Sequence, residues 1–313
     1  MSLRTASTTQ NRQTLLDLQR TQQRLALTQT QIGTGKRLTG PGDDPTAAAL
    51  ILDFGNSIEA NTQYIKQANS AGSYLSSSED AVSAAIESSI QAQVLATQGV
   101  GTNVTAASRA AMVSQVDAIF NNLQSLANTR SQGKYLFAGT QTQTIPFATA
   151  VPSRVPPYVP GNGPIAYAGN GGAINLDVTA TTSVTTNVPG NTVFFGAGGE
   201  GSTTDIFKAV SDLRDGLASN DTVKIQSAAD NLQFSFANLN QVQADLGGRQ
   251  AGLFALKDLL SGANVTLQGL QNTQQDTDYP AAAVQLSADQ TMQSVTLSAL
   301  AKSNKTNLFD YLA

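Results

Sequence analysis

Apolar residues recur at intervals of seven in both halves of this chain. Leu232, Leu239, Leu246, Leu253, Leu260 and Leu267 form one series. Val242, Leu256, Ala263 and Leu270 fill the interleaved position, which Arg249 interrupts. Ile51, Ile58, Ile65, Gly72, Glu79 and Ile86 form a second series, interleaved with Phe54, Asn61, Ala68, Leu75 and Val82. Met112, Val116, Ile119, Leu123 and Leu126 are spaced four, three, four, three. Alternating steps of three and four place these side chains on one face of a helix, so each run predicts a helix with an apolar seam. The ends of the chain carry thinner seams. Leu15, Leu18, Gln22, Leu25, Gln29 and Ile32 keep the spacing with two Gln in it. Near the other end stand Val284, Ala288, Thr291 and Val295, with Leu297 and Leu300 on an adjacent stripe. Stripes this polar need neighbours to hold them. For 1–38 and 281–313 the expectation is therefore packing between molecules, and for Leu232 to Leu270 packing within one.

Breakers set the boundaries. Gly40-Pro41-Gly42-Asp43-Asp44-Pro45 interrupts the first helix. Asp44 before Pro45 reads as an N-cap followed by proline in the first turn, where a missing N–H costs nothing. Gly99-Val100-Gly101 ends the long helix, and Asp276 to Pro280 ends the leucine series. Residues 139–204 hold seven of the ten prolines, together with Thr/Val runs bounded by glycine. They predict short strands. The expected fold is mainly α with an inserted small β domain, an antiparallel helical rod or coiled coil in which N- and C-terminal segments pair.

Composition narrows the chemistry. The chain has no Cys, His or Trp, and charged residues make up 13% of it. Disulfides, thiolate or imidazole metal sites and His acid–base catalysis are excluded. The net charge of −4 has the wrong sign for a phosphate-tracking surface, so no nucleic-acid partner is expected. No apolar run is long enough to span a membrane, and no secretory signal is evident at Met1–Leu16. Gly196-Ala197-Gly198-Gly199-Glu200-Gly201 matches a dinucleotide fingerprint, but no second strand precedes Asp221, so it reads as a flexible junction. Gly33-Thr34-Gly35-Lys36-Arg37 fails the phosphate-loop pattern at Thr30 and at Arg37. The Asp43-Asp44 pair reads as capping rather than as a carboxylate couple. Asn103, Asn220, Asn264 and Asn304 begin glycosylation-type tripeptides that an Asn/Thr-rich chain produces by chance. Neither an enzyme nor any cofactor or metal is expected.

Three stretches carry a resemblance. They are Ile32-Gly33-Thr34-Gly35-Lys36-Arg37-Leu38 with Pro41-Gly42-Asp43-Asp44-Pro45, then Ser125–Arg130 with Gly133–Thr140, and Asn307-Leu308-Phe309-Asp310-Tyr311-Leu312. Together they resemble the flagellin superfamily, most of all its hook–filament junction branch. Flagellins have Ala-Ala-Gly after the paired Asp, where this chain has Pro-Thr-Ala-Ala-Ala. Flagellins recognised by the animal innate receptor carry Arg in the region of Gln91 and Gln93.

The resemblance implies an inner assembly domain of terminal helices over 1–40 and 277–313. It implies a helical rod over 41–138 and 205–276, and an exposed β-rich domain over 139–204. It also implies export through the flagellar type III apparatus to an extracellular flagellum, and a cytoplasmic export chaperone. Hook-associated protein 1, flagellin and further copies of the chain would be its neighbours. Lys36, Arg37, Asp43, Asp44 and Pro45 would be the family motif and helix cap. The expected assembly interface is Leu15, Leu18, Leu25 and Ile32 facing Val295, Leu297, Leu300, Leu308 and Leu312. A divergent filament-forming flagellin shares this chemistry; a coiled-coil type III secreted protein would need membrane-inserting helices.

Overall fold

The computed structural model describes residues 2–149, 156, 158–179 and 181–312, with side-chain surroundings for 12–148, 156, 158–179 and 181–302. In chain order the elements are helices α1 (Ser2–Thr34), α2 (Pro45–Val100) and α3 (Ala106–Ala127), six short strands, then helices α4 (Ile206–Ala218), α5 (Thr222–Gln275) and α6 (Tyr279–Leu312). The strands pair as three separate antiparallel hairpins: β1 (Arg130–Ser131) with β2 (Lys134–Tyr135), β3 (Phe147–Thr149) with β4 (Ile165–Tyr167), and β5 (Asn175–Asp177) with β6 (Ser183–Thr185). Asn191–Phe195 makes one π-helical turn.

Five helices start on a capping side chain. Asp44 Oδ1 accepts from Ala47 N at 3.1 Å and Thr105 Oγ1 from Ser108 N at 3.1 Å. Asp205 caps α4, Asp221 accepts from Val223 N and Lys224 N, and Asp278 accepts from Ala281 N. Each satisfies amide donors that the first helical turn leaves unpaired.

The chain forms two compact units, residues 1–60 with 262–313, and residues 61–261. Residues 139–204 lie wholly within the second unit. There the leucine series does what its spacing predicts: Leu232, Leu239 and Leu246 are fully buried and Leu253 nearly so, with Leu75, Val82, Val116 and Leu123 in the same core. An aromatic cluster closes the side facing the strands. The Phe147 ring lies 5.2–5.6 Å from the rings of Tyr167, Phe194, Phe195 and Phe207, in tilted or edge-on arrangements that aromatic quadrupoles favour.

The helices hold the strand region by its backbone. Asn128 exchanges two hydrogen bonds with the main chain of Phe147. Asn238 Nδ2 donates to the carbonyls of Thr192 and Val193. Tyr74 donates to those of Tyr135 and Leu136. Arg249, the residue that breaks the second seam, donates to the Thr185 and Asn187 carbonyls and pairs with Asp245 at 2.7 Å. Glu79, another polar intruder, accepts from Gln250 at 2.7 Å.

Arg109 is buried with three neutral acceptors, the carbonyls of Gly99 and Gly101 and Oδ1 of Asn220. Its charge faces the carbonyl end of α2, where the helix dipole is negative. The Asn220 side chain of one glycosylation-type tripeptide is thus engaged by Arg109, although the residue itself is exposed. The glycine-rich stretch 196–201 is a turn: Gly196, Gly199 and Gly201 have φ of +68°, +76° and +74°, and a Cβ on Gly201 would stand 2.0 Å from the Val159 carbonyl oxygen.

Gly201 N, Phe207 N and Lys208 N donate to the buried Asp205 carboxylate. Burial pushes this carboxyl up to about 7, against the pull of those three donors and Lys208. Between its ordinary 3.8 and that value, the native state holds a proton that the unfolded chain has released. Asp205 therefore lowers stability as pH rises through this window. Urea denaturation at about pH 4.5 and pH 7.5 should show Asp205→Asn less pH-dependent than the parent. Leu239→Ala should cost about 2–5 kcal/mol by the same measurement, as for other buried leucines.

Candidate assembly interface

The chain's two ends meet in the first unit through backbone contacts. Thr277 N donates to Gly35 O at 2.9 Å and Arg37 N to Gln275 O at 2.7 Å. Lys36, solvent-exposed, bridges Asp276 in the same ladder. Gly35 has φ +71°, a conformation that strains other residues, and a Cβ there would stand 2.7 Å from the Tyr279 hydroxyl, which would have to shift. The Arg37 guanidinium spans the joint, donating to Gln274 O at 2.9 Å and reaching Asp44 Oδ2 at 3.5 Å. Gln31 Nε2 holds the Arg37 carbonyl at 2.7 Å.

Asp43 Oδ2 closes the Gly40–Asp43 turn, accepting from Thr39 N, Thr39 Oγ1 and Gly40 N. Those donors hold the Asp43 carboxyl below the usual range, and the Ala47 amide followed by Arg37 does so for Asp44. Lys36, Arg37, Asp43, Asp44 and Pro45 therefore build the joint from which α1, α2 and α6 leave. Among the described residues no group of three His, Cys, Asp or Glu could hold a metal ion. Among the same residues no helix is long and apolar enough to cross a membrane.

From this joint α1 and α6 run antiparallel, since Gly35 meets Thr277 and Arg24 meets Asp289. The seam differs from the expected one. Leu18, Leu25 and Ile32 lie in it, half-buried, but its alternate positions are Thr21 and Thr28, both buried, rather than Gln22 and Gln29. Threonine can enter because its hydroxyl turns back onto its own helix: Thr21 donates to Asp17 O at 2.8 Å and Thr28 to Arg24 O at 3.0 Å. Glutamine would bring an amide with no such outlet. Leu15 consequently stands 51% exposed.

On α6 the seam is Ala282, Leu286, Asp289, Gln293, Thr296 and Leu300. Val284, Val295 and Leu297 are exposed, so within the chain they do not face α1; Leu300 is half-buried. Leu308 and Leu312 lie outside the residues whose side chains are described. Asp289 is buried in the seam. Its Oδ1 accepts from Gln285 at 3.1 Å and lies 3.6 Å from Arg24 Nε, while Oδ2 is buried without a hydrogen-bond partner. Sequence reasoning missed Asp289, Thr21 and Thr28, because a search for apolar periodicity passes over them.

The first unit is nearly coreless. Its buried apolar side chains among the described residues are Ala47 and Ala282, whereas all the largest fully buried side chains belong to the second unit. Leu15, Leu16, Leu27, Val284, Met292 and Val295 instead project into solvent from α1 and α6. The two long helices are thus joined by a polar seam and carry exposed apolar side chains outside it, the kind of surface that marks an interaction site.

Residues 6–142 match the bacterial flagellin N-terminal helical region. Over 270 residues the chain is 27% identical to the flagellar hook-associated protein 3 of Escherichia coli (strain K12), covering 79% of this chain and 78% of that protein. It is 33% identical over 124 residues to the Salmonella typhimurium protein of the same name, 38% of each chain. In fold it is similar to the solved flagellar junction protein FlgL from Legionella pneumophila: TM-score 0.58 at 16% identity, covering 74% of this chain and all of that one.

Arg37→Ala should loosen the joint by about 1 kcal/mol, the discounted worth of an exposed charge-assisted hydrogen bond. Hydrogen exchange should then be about five-fold faster at the Thr277 amide and unchanged across 61–261.

Proposed function

We propose that this chain is a structural subunit of the junction between flagellar hook and filament, a reading supported by its match to the flagellin N-terminal helical region over residues 6–142 and by its 27% identity to a flagellar hook-associated protein 3. The observation that carries the mechanism is the nearly coreless first unit. Pairing α1 with α6 buries too little to offset the entropy of ordering two long helices. Neighbouring subunits supply the missing apolar cover, so order in the chain ends is coupled to assembly and premature polymerisation is suppressed. Leu18, Leu25, Ile32 and Leu300 hold the hairpin. Leu15, Val295 and Leu297, with Leu308 and Leu312 further along α6, meet the neighbour.

The role is architectural rather than catalytic, and no cofactor enters it. The subunit leaves the cell through the flagellar type III apparatus, held until then by an export chaperone on its C-terminal helix region. In the flagellum it sits between hook-associated protein 1 and flagellin. Support for these partners is the family relationship; support for the ordering mechanism is the polar seam and its exposed apolar flanks.

The test is expression in a flagellated cell lacking its own junction protein, with gold labelling of this chain on isolated flagella. Label confined to the hook–filament boundary is expected. Long tubes grown from this chain alone would make it a filament flagellin instead. Leu18→Asp and Leu300→Asp should each abolish incorporation while far-UV circular dichroism of the monomer changes little. Limited proteolysis should trim both ends and spare 61–261. Normal incorporation of either variant, or a monomer resistant from end to end, would sink the ordering mechanism.

A further inference from the structure

Glycine inside a helix needs a reason, because each one disfavours the helix about four- to five-fold relative to alanine. α5 carries Gly247, Gly248 and Gly252 close together at the middle of its 54-residue length. α2 carries Gly72. None of the four has a positive φ, and a Cβ on any of them would meet nothing within 4 Å. Neither the backbone nor a neighbour in the chain requires glycine at these places.

Packing is thin at the same level of the second unit. A groove of about 440 Å³ lies between α2 and α5, lined by Ala68, Gly72, Ser76, Leu253, Phe254 and Lys257. Phe254 is left 62% exposed. Beside Ala68 in sequence, Gln67 Oε1 is buried without a hydrogen-bond partner, which weakens the packing it sits in. Earlier along α5, by contrast, Leu232, Leu239 and Leu246 are fully buried. Helix propensity, side-chain packing and polar pairing thus all fall off together.

What this stretch does hold is the strand region. Arg249 and Gln250 stand between the glycines. Arg249 Nη1 donates to the carbonyls of Thr185 and Asn187 at 3.3 and 3.0 Å, and Gln250 Nε2 to Glu79 at 2.7 Å. Poor helix formers with few buried contacts are the conditions for a local opening that stops short of global unfolding.

We propose that α5 opens first at Gly247–Leu253, that this opening releases Arg249 from the β5–β6 hairpin, and that it sets how readily the second unit unwinds for export. The proposal rests on the export step of the reading above and names the segment where unwinding starts. Taken together, the three glycines of α5 weaken the helix there about 100-fold against alanine, by the per-residue factor. Buried Leu246 on one side and Leu260 on the other keep the opening local.

The test is hydrogen exchange by mass spectrometry on the monomeric full chain, with secretion measured in the flagellated cell used above. Amides of 247–253 should exchange at least ten-fold faster than those of 232–243. In Gly247→Ala/Gly248→Ala/Gly252→Ala they should slow at least ten-fold, with β6 slowing beside them and α3 unchanged. That variant, folded by circular dichroism, should reach the medium several-fold less than the parent. Adding Leu253→Ala, which reopens the stretch by removing a buried side chain, should restore secretion. Uniform exchange along α5, no slowing on alanine substitution, or undiminished secretion of the triple variant would overturn the proposal. So would a variant secreted normally yet lost from flagella, since the glycines would then serve contact with a neighbouring subunit. Boundary label with secretion indifferent to the alanines sinks only this inference; label away from the boundary, with the secretion difference intact, sinks only the junction role.

Discussion

A helix pair persists only if the face it hides is worth hiding, and α1 and α6 have little on theirs. Threonines that bond their own backbone, one buried aspartate and a few half-buried leucines replace the continuous apolar seam of the second unit. The second unit keeps its fold through Leu232, Leu239, Leu246 and the phenylalanines packed beside them. One chain therefore contains a unit with a continuous apolar core and a unit with almost none. The Oδ2 atom of Asp289, buried without a partner, fits that division, since an unsatisfied buried oxygen weakens the pairing it sits in.

The regular parts of this fold were legible. Heptads at 232–267 and 51–86 announced the long helices, and Gly99-Val100-Gly101 and Asp276–Pro280 ended them where the structure ends them. The Asp44–Pro45 cap was legible because its chemistry is local. The terminal seam was read through leucine and missed threonine, whose burial depends on a hydrogen bond that hydropathy does not record. Val284, Val295 and Leu297 were placed on the α6 stripe by their apolarity, yet they point away from α1. Arg249 looked like an interruption of a seam; its role depends on strand carbonyls more than sixty residues earlier, which no periodicity encodes.

The joint at Gly35 and Thr277 concentrates the chain's most specific residues. A positive φ, a tyrosine hydroxyl against it, a guanidinium spanning two helix ends and two capping carboxylates all meet there. Paired aspartates invite a catalytic or metal reading, but Asp43 Oδ2 is taken up by Thr39 and Gly40, and Asp44 by the Ala47 amide and Arg37. Their work is to fix where helices begin.

The fastening of the strand region has a different kind of consequence. Tyr74, Asn128, Asn238 and Arg249 grip main-chain groups, not side chains, of the segment they hold. A carbonyl is present whatever residue bears it. The outward side chains of that segment can therefore change while the grip of the helices on its carbonyls persists.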